Sequence, residues 1–150
     1  MKRLIPILLL FFSISSFAQG GEKMKERIKT QKVAFLTEKL SLTTEEAQQF
    51  WPIYNAFETK VDKIKSDVLR PIKQEMRGGN VSDKRADELL EQLIKTENDM
   101  HQAKLQLVED LKKVISSKKI MLLKAAEDQF NRKLLERLRD MREKHRRNRN

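Results

Sequence analysis

The chain contains no cysteine among its 150 residues. This absence excludes disulfides, thiolate metal sites, cysteine catalysis and a bacterial lipoprotein anchor. Glycine and proline are scarce, at four and three residues, and no strand-like alternation of apolar and polar residues occurs. A Ser-His-Asp pattern, a phosphate-binding glycine loop and an H-E-x-x-H sequence are all missing, so we expect neither enzymatic activity nor a cofactor.

The residue types that are abundant are Lys, Glu, Leu, Gln and Arg, and 36% of the chain is charged. These residues favour helix. We therefore predict an all-α fold, an elongated bundle of about four long helices. A thin layer of long helices encloses little core, so we also expect one apolar face to be covered by a second subunit or by a ligand.

The first residues have the pattern of a secretion signal. Lys2 and Arg3 precede a short apolar run, residues 4–12, and a small-x-small cleavage site ends at Ala18. The run is too short to span a bilayer comfortably, so a permanent membrane anchor is the weaker alternative. We expect cleavage after Ala18 and a periplasmic location for the rest of the chain.

The net charge of +10 is concentrated at the end of the chain, where residues 132–150 carry nine basic and three acidic side chains. In a cytoplasmic protein this would indicate a nucleic-acid arm, but export argues against that partner. An anionic membrane surface, acidic polymers and acidic unfolded chains remain, and a solvated helix end is the plain alternative. We predict a helical domain over residues 19–141 and a basic, disordered tail over 142–150.

Apolar periodicity predicts helices over residues 22–40, 44–76 and 83–114, and a fourth from the Ser116 cap to about Met141. The second helix has the most regular seam, with steps of three and four residues. Its apolar positions are Ala47, Phe50, Tyr54, Phe57, Val61, Ile64 and Val68.

Two prolines lie inside the second predicted helix. We expect the helix to bend at Pro52 and continue, since the apolar seam runs through it. At Pro71 both a continuous helix and a helix end are open, because the residue before proline is pushed out of the α region. The glycines and asparagine of residues 78–80 tolerate positive φ and predict a chain reversal.

The pentad Leu42-Thr43-Thr44-Glu45-Glu46 has the pattern of a capping box. With Thr43 as N-cap, its hydroxyl accepts from the Glu46 N–H, and the Glu46 carboxylate accepts from the Thr43 N–H. A shift of 73 residues aligns this pentad with Ile115-Ser116-Ser117-Lys118-Lys119. Ser116 is the predicted cap there, and Lys119 is unable to return the reciprocal bond.

The two pentads resemble the paired L-T-x-x-Q motifs of the Spy/CpxP group of bacterial envelope proteins. Leu42 and Thr43 match the first motif, with Glu46 in the place of glutamine. At the second site Ile115 and Ser116 are conservative replacements, and a lysine stands in the place of glutamine. The resemblance implies a cradle-shaped antiparallel homodimer that binds unfolded envelope proteins without ATP on a basic and apolar concave surface.

Residues 35–40 and 50–54 are also similar to the Bacteroidota branch of this group, described as sensors of extracytoplasmic-type sigma factors. The alternative function is therefore a periplasmic stress or metal sensor that acts on a membrane signalling partner. Our first expectation is a chaperone-like protein of the envelope stress response.

Five residues of the second helix form the candidate client or partner surface. Trp51 and Ile53 lie off the main seam and are interpreted as a second apolar face, and lysines beside them supply electrostatic capture. The alternative is that both apolar side chains pack under the first helix or a dimer partner. The lysines are Lys60, Lys63 and Lys65.

Glu97 and His101 are four residues apart and therefore share a helical face, which raises the question of a metal site. Only two histidines are present in the chain. A closed site would need ligands from a second subunit, so we expect solvated or ion-paired surface residues and no bound metal.

Overall fold

The structure is a computed structural model that describes residues 19–149, with side chains from residue 23 onward. The predicted secretion signal, residues 1–18 with its cleavage site at Ala18, lies outside the described residues. The described chain is helical throughout its length apart from short turns, and no strand occurs in it. The prediction of an all-α helical bundle is confirmed. None of the helices in residues 19–149 is long and apolar enough to cross a membrane.

Five α-helices and one π-helical segment make up this part of the chain. Helix α2 runs without a break into the π-helical segment and α3, so four long helices result, as predicted. The bounds are α1 Gln19–Lys39, α2 Thr44–Ile64, the π-helical segment Lys65–Leu69, α3 Arg70–Arg77, α4 Asp83–Leu111 and α5 Ser117–Arg147.

The helices divide into two compact units. The middle unit comprises residues 42–124. The terminal unit comprises the described residues up to Ser41, together with those from Ala125 onward. The predicted single domain over residues 19–141 is therefore subdivided, and the boundary falls inside α5. The segment 142–147, predicted as part of a disordered tail, continues helix α5 in the structure.

The core of the middle unit is formed where α2 packs against α4. Phe50 and Tyr54 are fully buried, and their rings stack with centroids 5.4 Å apart. The predicted apolar seam of the second helix thus supplies the largest buried side chains of this unit. Its other buried apolar residues are Ile72, Leu89, Ala103, Leu107, Leu111, Ile115 and Leu123.

The two internal prolines are accommodated differently. Helix α2 continues through Pro52, as predicted. Near Pro71 the helix widens into the π-helical segment, in which the Arg70 N–H donates to the Lys65 carbonyl five residues back. The wider turn accommodates the proline ring and the absence of a proline N–H. The helix therefore continues past this point.

The chain reverses between α3 and α4, as the glycines predict. Gly79 adopts φ of +75°, a left-handed conformation that suits glycine. Ser82 caps α4 by accepting from the Arg85 N–H at 3.3 Å. The Arg85 guanidinium then bridges both carboxylate oxygens of Glu75, at 2.7 and 3.0 Å, and ties the two helices together beside the turn.

Helix α4 ends earlier than predicted, at Leu111 and not at residue 114. The reason is a tightening of the last turn, in which the Val114 N–H donates to the Leu111 carbonyl only three residues back. The turn brings Ile115 into the core, where it is buried.

The two predicted caps are both present. The residues three positions after each cap, Glu46 and Lys119, are in contact with each other. Thr43 forms the complete capping box with Glu46, with bonds of 3.2 and 2.9 Å. Ser116 accepts from the Lys119 N–H at a longer 3.4 Å. The Lys119 ammonium lies 2.5 Å from the Glu46 carboxylate, and both side chains are mostly buried. The two positions that the 73-residue shift makes equivalent are thus an ion pair.

The terminal unit consists of α1 and the second part of α5. Leu36 on α1 and Leu40 directly after that helix are buried, and so are Ala126 and Phe130 on α5. The Phe35 and Phe130 rings have centroids 5.7 Å apart. Two helices cover each other on one face only, so part of each apolar stripe remains exposed.

Candidate functional site

A groove between α2 and α4 forms the first candidate site, which we call the hairpin groove. It has a volume of about 440 Å³ and a mainly apolar lining. Lys60 and Asp110 supply the charges. Gln106 and Lys113 donate to the Asp110 carboxylate and lower its pKa, so this group is ionised at neutral pH. The lining also includes Pro52, Ile53, Ala56, Phe57, Ala103 and Leu107.

The structure brings together only part of the predicted client surface. Ile53 and Lys60 line the hairpin groove. Lys63 and Lys65 are exposed but are not part of its lining. Trp51 is also outside the lining, and its ring lies edge-on against Phe50 and Tyr54 of its own helix, at 5.0 and 5.7 Å.

The interpretation of Trp51 and Ile53 as one apolar face does not fit this geometry. Residues two positions apart in an α-helix are separated by about 200° around its axis. Ile53 therefore faces the hairpin groove, whereas Trp51, which is half-buried, packs on the aromatic core. Of the predicted client surface, the charge of Lys60 and the apolar side chain of Ile53 therefore share one groove.

A second groove lies between α1 and α5, and we call it the terminal groove. Its volume is about 310 Å³, and both of its walls belong to the terminal unit. Five of its ten lining residues are apolar: Met24, Ile28, Leu134, Leu138 and Met141. A smaller pocket beside Phe35 and Phe130 shares Gln31, Leu134 and Arg137 with it.

The terminal groove is basic as well as apolar. Arg27, Arg137 and Lys144 line it, against one acid, Asp140. Arg137 is held in place by a hydrogen bond of 3.1 Å to the Gln31 amide oxygen. The groove therefore offers apolar contact with a positive rim, which suits chains that carry apolar and acidic side chains.

The terminal groove was not predicted, although the apolar stripes that form it were. Ile28 belongs to the first predicted helix and Leu138 to the fourth. Periodicity places such residues on a face but does not tell which of them a neighbouring helix covers. The exposure of its two methionines, Met24 and Met141, marks the groove in the structure. The sequence does not show this exposure, because it depends on how the helices pair.

Glu97 and His101 are both exposed on α4. Within the described residues no group of three or more histidine or acidic side chains is placed to hold a metal ion. The nearby Asp99 carboxylate accepts from the Lys95 ammonium at 2.8 Å. Among residues 19–149 the structure therefore assembles no chelating set around His101.

Helix α4 carries an exposed apolar stripe on a side away from its buried face. Leu90, Ile94 and Leu105 are exposed, and Val108 is half-buried. At about 100° per residue, these four and the polar residues Asp87, Glu97, His101 and Lys112 fall within an arc of about 80°. We call this set the α4 stripe.

Comparison of the chain with protein-family models, curated proteins and solved structures finds no match. The chemistry of the two grooves and of the α4 stripe is therefore the basis for assigning a function.

Proposed function

We propose that this protein is an exported, chaperone-like protein that holds partly unfolded polypeptides without ATP. The observation that carries the proposal is the terminal groove, in which an apolar floor is exposed beside Arg27, Arg137 and Lys144. Apolar segments of a client would be removed from water there, and the cations would attract acidic clients over a longer range. The hairpin groove adds a second apolar contact beside Lys60.

The proposed location is the periplasm. It is supported by the sequence pattern of residues 1–18, which lies outside the described residues. N-terminal sequencing of the protein recovered from the periplasmic fraction is expected to begin at Gln19. Recovery of the intact chain from the cytoplasm would contradict this location.

The test of client binding is suppression of aggregation. The mature chain, residues 19–150, is expected to suppress aggregation of several unrelated clients at near-stoichiometric ratios, with an effect that falls as salt rises. If no client is protected at low salt, the proposal is wrong. Tight binding of one membrane partner without general protection would favour the sensor hypothesis instead.

A matched pair of variants locates the activity. Met24→Gln with Met141→Gln makes the terminal groove polar, and each methionine side chain is worth roughly 1 kcal/mol when it is half removed from water on binding. We expect the concentration needed for protection to rise about ten-fold or more. The control, Met76→Gln with Met121→Gln, changes two methionines that are also exposed but lie outside both grooves, and we expect it to behave like the unaltered chain.

We also propose a homodimer in which the α4 stripe of one copy packs antiparallel on the same stripe of another. Its chemistry supports this pairing, because the stripe has Asp87 at one end and Lys112 at the other, apolar side chains between them, and Glu97 and His101 near its centre. In an antiparallel arrangement centred near Asp99, Leu90 faces the partner's Val108 and Ile94 faces the partner's Leu105. Asp87 then faces the partner's Lys112, and Glu97 faces the partner's His101, so each acidic group faces a donor.

Charge reversal tests the pairing. Asp87→Lys is expected to shift the chain toward monomer in light scattering, since like charges would face each other at both ends of the symmetric pair. Lys112→Asp is expected to do the same, and the double variant is expected to restore the dimer. A dimer that persists in both single variants would exclude this interface, and Lys84→Asp on the same helix is the control.

A further inference from the structure

The C-terminal part of α5 carries a row of arginines on the side away from the terminal groove. Arg132, Arg139, Arg142 and Arg146 recur with steps of three, four and seven residues, and Leu135 fills the remaining position. We call these five residues the arginine stripe. With 3.6 residues per turn and 1.5 Å per residue, they lie within an arc of about 80° and extend over about 21 Å.

The positive charge of the arginine stripe is not compensated within the described chain. All four arginines are exposed. None of them forms an ion pair with another described residue. The acidic residues of the same segment lie on one flank of the stripe and not within it. They are Glu136, Asp140 and Glu143.

The residue types of the stripe indicate its partner. Every cation in it is an arginine and none is a lysine. The guanidinium group binds phosphate with two parallel hydrogen bonds, which an ammonium does not. Leu135, in the middle of the row, is 55% exposed. A partner that fits both features has phosphates at its surface and an apolar layer directly beneath them.

We propose that the arginine stripe docks the protein on the surface of an anionic phospholipid bilayer. The arginines bind lipid phosphates, and Leu135 enters the boundary between headgroups and acyl chains. Nucleic acid offers the phosphates without an accessible apolar layer, and acidic proteins offer carboxylates. The docking is independent of client binding, since it uses the face of α5 opposite the terminal groove.

The experiment measures binding of the mature chain, residues 19–150, to vesicles of phosphatidylglycerol mixed with phosphatidylcholine, and to vesicles of phosphatidylcholine alone. The variant replaces Arg132, Arg139, Arg142 and Arg146 by glutamine. Each basic side chain near an anionic surface contributes roughly a five-fold factor in binding, so we expect a loss of at least about a hundred-fold on anionic vesicles. Binding to the neutral vesicles is expected to be weak for both proteins, because phosphatidylcholine carries no net charge.

A control variant removes the same charge elsewhere, from exposed lysines that form no ion pair with a described residue. It replaces Lys73, Lys84, Lys104 and Lys118 by glutamine. Equal losses in the two variants would overturn the proposal, since net charge alone would then explain binding. The proposal would also be overturned if the stripe variant lost binding to duplex DNA but kept binding to anionic vesicles. Circular dichroism is expected to show unchanged helix content in both.

Discussion

The middle unit and the terminal unit are both built from paired helices, but they stabilise the pairing by different means. In the middle unit, α2 and α4 enclose two stacked, fully buried aromatic rings, and Arg85 ties α4 to α3 beside the turn that joins them. In the terminal unit, α1 and α5 bury fewer side chains and leave a groove of about 310 Å³ with an apolar floor.

The difference separates stability from binding. Side chains that fill a core are removed from water within the chain and have no contact left to offer. The exposed apolar floor of the terminal groove adds little to the stability of the folded chain, because it is in contact with water in the unfolded chain as well, and it stays available for burial against a client. We therefore expect substitutions in the middle unit to change unfolding, and substitutions in the terminal groove to change binding.

The largest expected effect is on the core of the middle unit. Phe50→Ala removes a fully buried ring and is expected to lower the free energy of unfolding by about 3–5 kcal/mol. Phe35→Ala in the terminal unit removes a ring that is only half-buried, so about half of that loss is expected. Urea denaturation followed by circular dichroism measures both. Equal losses would contradict the proposed division.

Hydrogen exchange provides a second comparison, without any substitution. Backbone amides near the aromatic core, in α2 and α4, are expected to exchange at least about a hundred-fold more slowly than those of α1. The physical reason is that opening α2 exposes its buried aromatic residues, whereas α1 is covered by a single helix of its unit. Equal protection in the two units would show that they open together, as a single cooperative body.

A smaller effect is expected at the two caps, which differ in quality. Thr43→Ala removes a complete capping box and is expected to cost about 1 kcal/mol. Ser116→Ala removes a single bond of 3.4 Å without a reciprocal partner, and we expect a few tenths of a kcal/mol. Thermal unfolding of both variants checks the order. A larger loss for Ser116→Ala would show that the second cap matters through contacts other than this bond.

Sequence patterns predict the local parts of this structure well. The starts of α2 and α5 follow from Thr43 and Ser116, because a cap involves only residues within one turn of it. The hydrophobic seam around Phe50 is predicted for the same reason, since periodicity is a property of one helix.

The features that depend on two helices at once are predicted less well. Ile53 lines the hairpin groove and Trp51 does not, because α4 covers only one side of α2. The π-helical segment beside Pro71 was also not predicted, although the proline that causes it is local. One long-range contact could nevertheless have been predicted from the sequence. The 73-residue shift aligns Glu46 with Lys119, and opposite charges at equivalent positions suggest a pair.

The smallest expected effect concerns that pair and is visible as a dependence on pH. The Lys119 ammonium and the Thr43 N–H both donate to the Glu46 carboxylate and lower its pKa below the usual 4.5. A carboxyl whose pKa is lower in the folded chain stabilises the fold fully above the unfolded value. This contribution is lost as pH falls from about 4.5 through the lower pKa of the folded state.

Glu46→Gln with Lys119→Gln removes both charges while an amide at each position still forms hydrogen bonds. We expect the double variant to lose less stability than the unaltered chain when unfolding is measured from pH 6 down to about pH 3. The carboxyls of Glu75 and Asp110, whose pKa values are also lowered, titrate alike in both proteins and cancel in the difference. The control, Lys84→Gln with Glu91→Gln, removes the same charges from exposed positions and is expected to follow the unaltered chain. If the double variant also follows it, the pair between the two caps contributes nothing to the stability of the middle unit.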